Sequence, residues 1–332
     1  MMIKTIKHWL IVLAAVSTLA IASQARAESY NMTVAGASPG GLWSLLGAGI
    51  DASVKKAYPG STITYQTSGG GIANVGVLDR DQADMALIHD AEMLLAESGS
   101  APFREPITSL SVLSYMYTWA PMQALMRNSF AEEYGIESFE DIAEVKPPIV
   151  VAINRRGNIA SSVAEEMFKA IGVTADDIKS WGGELIYAAS DEQMSLIQDR
   201  RADMILNSLF VRHSSIMQAG NSVELTLLPL AQSTIDTVNT NSGTIAFTIP
   251  AETYEWSPAE VNTVSLGAAL AVRADMDEQT AYNLTKALFE NYQTLAGVHP
   301  AMAALTPEVM ASVEAVPYHK GALRYLTEAG LK

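Results

Sequence analysis

Three loops in this 332-residue chain carry residue types suited to gripping a small molecule. Ser38-Pro39-Gly40-Gly41 follows a short apolar run opened by Val34-Ala35, and a helical pattern that starts at Gly41 comes after it. Glycines there let the backbone approach a ligand closely, and the following helix presents free N–H groups. Thr67-Ser68-Gly69-Gly70-Gly71 has the same logic with two hydroxyls added. One glycine-rich turn is as often structural as functional; two, spaced in this way on one unit, favour binding. Neither is a nucleotide loop, because no Lys-Ser or Lys-Thr follows the glycines and no G-x-G-x-x-G occurs. The third loop, Arg155-Arg156-Gly157-Asn158, opens another helix. A guanidinium holds a carboxylate through two parallel hydrogen bonds. An acidic chain that places two arginines at one helix start therefore invites an anion. One of the pair is expected to bind and the other to be a solvated surface charge, with Arg156 the favoured contact.

Catalysis has a single foothold. His89-Asp90, with Glu92 close by, would supply a base and its orienting carboxylate. Neighbours at a strand end point in opposite directions, so His89 is expected to be a cleft wall or a structural residue. His213, His299 and His319 fit no metal spacing, and cysteine is absent. We therefore expect no metal site, no cofactor and no enzyme. Tyr117 and Trp119 either line a cleft or pack strands that join two lobes. Asn207, at a strand end, is a further candidate contact. The 15 methionines read as core filler.

The elements around these loops recur. Residues 31–36 read as a strand, 41–57 as a helix, 61–66 as a strand, 72–78 as a helix and 84–88 as a strand. Residues 148–153, 160–171, 185–188, 191–199 and 203–207 repeat that order, and Ala83-Asp84-Met85 finds an echo in Ala202-Asp203-Met204. The layout β-α-β-α-β implies a mostly parallel sheet covered by helices. Two such units imply an α/β protein of two lobes, each a mostly parallel sheet with flanking helices, and a ligand cleft between them. Residues 110–126, apolar and aromatic, read as strands that carry the chain from the first lobe to the second, with a return near 234–247. Lobe one is expected to hold residues 28–118 and 233–332, including helices at 277–295, 302–310 and 321–329. Lobe two is expected to hold 119–232.

Residues 1–27 have the pattern of an export signal: Lys4 and Lys7, an uncharged apolar run from Trp9 to Ile21, and the small-x-small site Ala25-Arg26-Ala27. Cleavage after Ala27 is expected. Without cysteine the exported chain has neither a lipid anchor at its cleavage site nor a disulfide, so it rests on its core. The cut leaves 18 basic against 36 acidic residues. That balance excludes nucleic acid as a partner and favours solubility. It does not exclude an anionic ligand, whose field is local.

The chain resembles the TAXI-type solute-binding subunits of tripartite ATP-independent periplasmic (TRAP) transporters over nearly its whole exported length. The resemblance lies in Ala35-Gly36-Ala37-Ser38-Pro39-Gly40-Gly41, in Thr67-Ser68-Gly69-Gly70-Gly71-Ile72-Ala73-Asn74 ahead of Gln82-Ala83-Asp84-Met85-Ala86, and in the ending Pro317-Tyr318-His319-Lys320-Gly321-Ala322-Leu323-Arg324-Tyr325. The ending reads as structural. The resemblance implies a two-lobed (type II) periplasmic binding protein that closes on a small carboxylate and delivers it to an ion-gradient-driven membrane permease; a monomer is expected because no long exposed apolar stripe remains in the sequence. It carries Ser38, Gly40, Gly41, Thr67, Ser68 and Asn74 as first-lobe contacts, and Gly157 and Asn158 by position alone. The family's hydroxyl after Gly-Gly is replaced here by Leu42, and its small-residue second loop by Arg155 and Arg156, so the ligand is expected to differ. A membrane sensor's binding subunit and an exported enzyme on the same fold are the alternatives.

Overall fold

Met85-Ala86-Leu87-Ile88 is buried on both faces, the continuous apolar run that a helix-covered parallel sheet requires. It forms most of β3 (Met85–His89), which follows β1 (Asn31–Ala35), α1 (Leu42–Ala57), β2 (Thr62–Gln66) and α2 (Gly71–Asp79) and precedes α3 (Asp90–Ser98). β1 pairs in parallel with both β2 and β3. α1 is a helix because Trp43, Leu46, Ile50 and Val54 recur on one buried face, and Lys55 and Lys56 suit the negative end of its dipole. The computed structural model describes residues 28–37, 42–314 and 316–332. The expected signal at 1–27 and the loop residues Ser38, Gly40 and Gly41 lie outside those described residues.

The long strand β4 (Leu110–Arg127) leads into the second unit. There α4 (Asn128–Tyr134) and α5 (Asp141–Val145) precede β5 (Val150–Ile153), α6 (Ile159–Ala170), α7 (Ala175–Ser180), β6 (Glu184–Tyr187), α8 (Ser190–Gln198) and β7 (Met204–Ser208). β5 pairs in parallel with β6 and β7, which mirrors the first unit. Next come α9 (Ser214–Gly220), β8 (Leu225–Leu227), α10 (Gln232–Ser242), β9 (Ile245–Ile249) and β10 (Val261–Arg273). The chain closes with α11 (Glu278–Glu290), α12 (Tyr292–Ala296), a 3-10 turn (Pro300–Met302), α13 (Pro307–Met310) and α14 (Lys320–Glu328). The strand order is β2-β1-β3-β10-β4-β7-β5-β6, with β8 against β4 and β9 against β10.

The two Ala-Asp-Met triplets play one part. In each the alanine and methionine are buried, and the aspartate ties down the neighbouring strand. Asp84 Oδ2 accepts from the Thr33 N–H at 2.7 Å, and Asp203 Oδ2 accepts from the Val150 N–H at 2.8 Å. The turn before each triplet holds one residue in the left-handed region, Asp81 (φ 56) and Arg200 (φ 59). Asp203 also pairs with Arg127 and so fixes the far end of β4.

The crossing segments differ from expectation on one side. β4 passes between the units in one piece: Leu110–Tyr117 pair with β10, and Met122–Met126 pair with β7. The return is not at 234–247. That stretch is α10 and β9, and its many Thr, Asn and Ser residues conceal Ile235 and Val238, which are buried. Ile249, Tyr254 and Val261 pack with Leu125 and Ile205 of the second unit. β10 then pairs with β9 up to Ser265 and with β3 from Ala268, so the chain crosses back at Leu266–Gly267. Residues expected in lobe one, Ile249, Tyr254 and Val261 among them, thus pack against the second unit. The helix expected at 277–295 breaks at Asn291, and the one expected at 302–310 is a 3-10 turn followed by a four-residue helix, each begun by a proline.

A candidate ligand cleft between the lobes

A cleft of about 800 Å³ opens at the C-terminal ends of the parallel strands, where their following helices begin. Lobe one lines it with Leu42, Trp43, Gly69 to Ile72, His89 and Glu92; the crossing strands add Tyr117, Ala120 and Leu266. Lobe two lines it with Asn154, Gly157 to Ala160, Ser190, Asp191, Ser208 to Phe210 and His213. The first residues of α1, α2, α6 and α8 (Leu42, Gly71, Ile159 and Ser190) all stand in this wall. A helix N-terminus carries unsatisfied N–H groups and the positive end of its dipole. No side chain caps α2 or α8, whereas Asn158 caps α6 by accepting from the Ala160 N–H at 2.9 Å. A Cβ at Gly71 would lie 1.5 Å from Glu92 Oε2, so a larger residue there would push the Glu92 carboxylate from its place beside His89.

Among the described lining residues there is no lysine or arginine; the acidic side chains are Glu92 and Asp191, and the imidazoles are His89 and His213. Glu92 Oε2 accepts from the His89 backbone N–H and from His89 Nδ1–H, both at 3.0 Å. Burial presses His89 toward its neutral form, but the charge and hydrogen bond of Glu92, helped by Asp90, outweigh it and lift the pKa above the usual value. Asp90 points the other way. Fully buried, it accepts from Tyr115 Oη at 3.0 Å and from the Ala91 N–H at 2.9 Å, and burial pushes its pKa up to about 6. His89 and Asp90 thus form no acid–base pair. His213 Nδ1 lies 2.8 Å from Ser215 Oγ at the start of α9, and burial lowers its pKa.

Aromatic rings form the floor. Trp43 Nε1 donates to Tyr117 Oη at 3.0 Å. Trp43 also lies 5.0 Å from the His89 ring, and Phe210 meets Tyr117 edge-on at 5.2 Å. Trp119 is no cleft residue: its Nε1 donates to the Ala301 carbonyl at 2.7 Å and ties β4 to the C-terminal region.

Of the expected contacts among the described residues, Leu42, Gly69, His89, Tyr117, Gly157 and Asn158 line the cleft. The others do not. Thr67 is exposed beside it. Ser68 Oγ lies 2.6 Å from the Gly36 carbonyl, beside the Asn74 side chain, and accepts from the Gly70 N–H. Asn74 is fully buried, and its Nδ2 donates to Gly36 O at 2.8 Å and Leu87 O at 2.7 Å, so it shapes the loop from behind. Asn207 is buried between Asn154 and Ser190 and holds both in the wall. Arg155 is exposed, and Arg156 turns away from the cleft to lie over the Tyr187 ring at 3.6 Å. A planar cation is attracted to an aromatic face, and β6 offers that face close by. Ser190, Ser208, Phe210 and His213 were missed by residue-type reasoning. The repeat held the signal for two of them, since Ser190 opens α8 as Gly71 opens α2, and Ser208 ends β7 as His89 ends β3.

The NMT1-like family model matches residues 34–330. No curated protein matches the chain. Among solved structures it is similar to a TctC solute-binding protein from Polaromonas, with a TM-score of 0.55 and 12% identity over 92% of this chain and 96% of that one. It is also similar to MatC of Rhodopseudomonas palustris with bound malate, with a TM-score of 0.51 and 12% identity over 91% and 97%. What these structures share with the chain is the fold, the two-lobed α/β architecture of type II periplasmic binding proteins.

Proposed function

This chain belongs to the NMT1-like family, and we propose that it is an exported solute receptor whose lobes close on a small organic anion. The observation that carries this reading is the convergence of four helix N-termini on one cleft, two from each lobe. The positive ends of their dipoles supply what an anion needs, and they take over the part that the arginines were expected to play. His89, whose protonated form the neighbouring Glu92 favours, stands on the lobe-one side. A carboxylate reached from both lobes binds the closed form better than the open one, and that difference in affinity drives closure.

We further propose that closure hands the solute to an ion-gradient-driven permease of the TRAP type, with this chain as its TAXI-type subunit in the periplasm. The sequence resemblance and the export-signal pattern support that reading, and the malate held by MatC makes carboxylates the first class to test. The test is a melting screen of protein unfolded in guanidinium, dialysed and refolded to strip any solute carried through purification. Mono- and dicarboxylates, keto acids, amino acids and sugars are compared. Binding to the folded state alone raises the melting point by mass action. A shift with a carboxylate class is expected; a shift with neutral sugars and with no acid would contradict the reading.

A further inference from the structure

Four large apolar side chains stand half-exposed in the cleft wall, Leu42 and Ile72 on lobe one and Leu209 and Phe210 on lobe two. Behind them the floor is the hydrogen-bonded pair Trp43 and Tyr117, both almost wholly buried. Apolar surface facing water from both sides of a cleft is stabilised when a ligand covers it. A short dicarboxylate would leave that surface bare. It would also bring a second negative charge into a wall whose described residues include Glu92 and Asp191 but no lysine or arginine. A single carboxylate is better matched, since the helix N-termini can hold it without a second cation.

Resting on the receptor reading, we infer that the solute is a monocarboxylate with an apolar body, aromatic or branched, rather than a small dicarboxylate. The carboxylate faces the helix N-termini, and the body packs between the Leu42–Ile72 and Leu209–Phe210 walls, with the edge of Phe210 as its main contact from lobe two.

Calorimetric titration of the stripped, refolded protein tests this with phenylpyruvate and 4-methyl-2-oxopentanoate against pyruvate and succinate. Burial of the apolar body predicts that the first two bind roughly tenfold or more tightly than the last two. Phe210→Ala should remove most of that preference, and Phe210→Leu should keep part of it, which separates lost contact from misfolding. Succinate or pyruvate binding as tightly as phenylpyruvate, or a preference that survives Phe210→Ala, would overturn the inference and leave the anion receptor standing. No binding by any of the four acids would overturn both.

Discussion

His89 and Asp90 are neighbours in the chain with opposite surroundings, and their titrations should both make the protein less stable as the pH rises. His89 has a folded pKa above its unfolded one. Its pairing with Glu92 therefore contributes fully below about pH 6.5 and is lost as the pH climbs through the folded value. Asp90 has a folded pKa of about 6 against an ordinary 3.8. The native state thus holds a proton that the unfolded chain has released, and stability falls between those two values. That gap corresponds to about 3 kcal/mol. Asp90→Asn should gain on the natural protein by up to that amount between pH 4 and pH 7 in urea melts; a constant difference across the range would refute the account of Asp90. Arg156 offers a second test. Lying over Tyr187 and off the cleft, it should change solute affinity less than about threefold when replaced by alanine, and stability by about 1 kcal/mol or less. A loss above about tenfold in calorimetry would return it to the site. Residue types pointed to an anion, but they could not say where a long side chain goes. The guanidinium was visible in the sequence, and the tyrosine ring that holds it, on another strand, was not.

Helix starts and strand ends explain why some of this layout was legible. Apolar spacing placed α1, α6 and α11 within a few residues, because each buries one stripe and little else competes. β10 was not recognised. Its run from Val261 to Arg273 is buried on both faces, so it lacks the alternation that marks a strand. The C-terminal motif, read as structural, has a local cause. His319 Nδ1 accepts from the Gly321 N–H at 3.2 Å to cap α14, its Nε2 lies 3.0 Å from the Met276 carbonyl, and its backbone N–H donates to Val112 O on β4 at 2.9 Å. Gly321 lets α14 lie close on α11, since a Cβ there would come 2.1 Å from Glu278 O and 2.7 Å from Tyr282 N. Both are backbone atoms and neither can rotate away. Gly321→Ala should therefore cost about 1–3 kcal/mol in denaturant melts and leave solute affinity unchanged, because the contact lies outside the cleft. A neutral result would mean that the two helices slide apart freely.

Two copies of one α/β layout, joined by β4 and β10, give the molecule a cleft whose walls belong to different lobes. The duplication was legible because the same turn, aspartate and methionine serve the same strand-tying role twice. The return crossing was not, because it occurs inside a strand rather than in a polar linker. With β4 and β10 the only strands that pass between the lobes among the described residues, closure should be a bend at Thr118–Pro121 and Leu266–Gly267, and X-ray scattering should show a smaller radius of gyration at saturating solute. An unchanged radius would mean that the solute binds without closure. The central claim is that helix N-termini, with no arginine, hold an anion across the cleft. Its most direct test is calorimetric titration of the stripped protein with the best carboxylate from the melting screen and with the matching carboxamide. The account predicts that the carboxylate binds roughly 30-fold more tightly or better, as loss of charge-assisted hydrogen bonds requires; equal affinity for the two would contradict it.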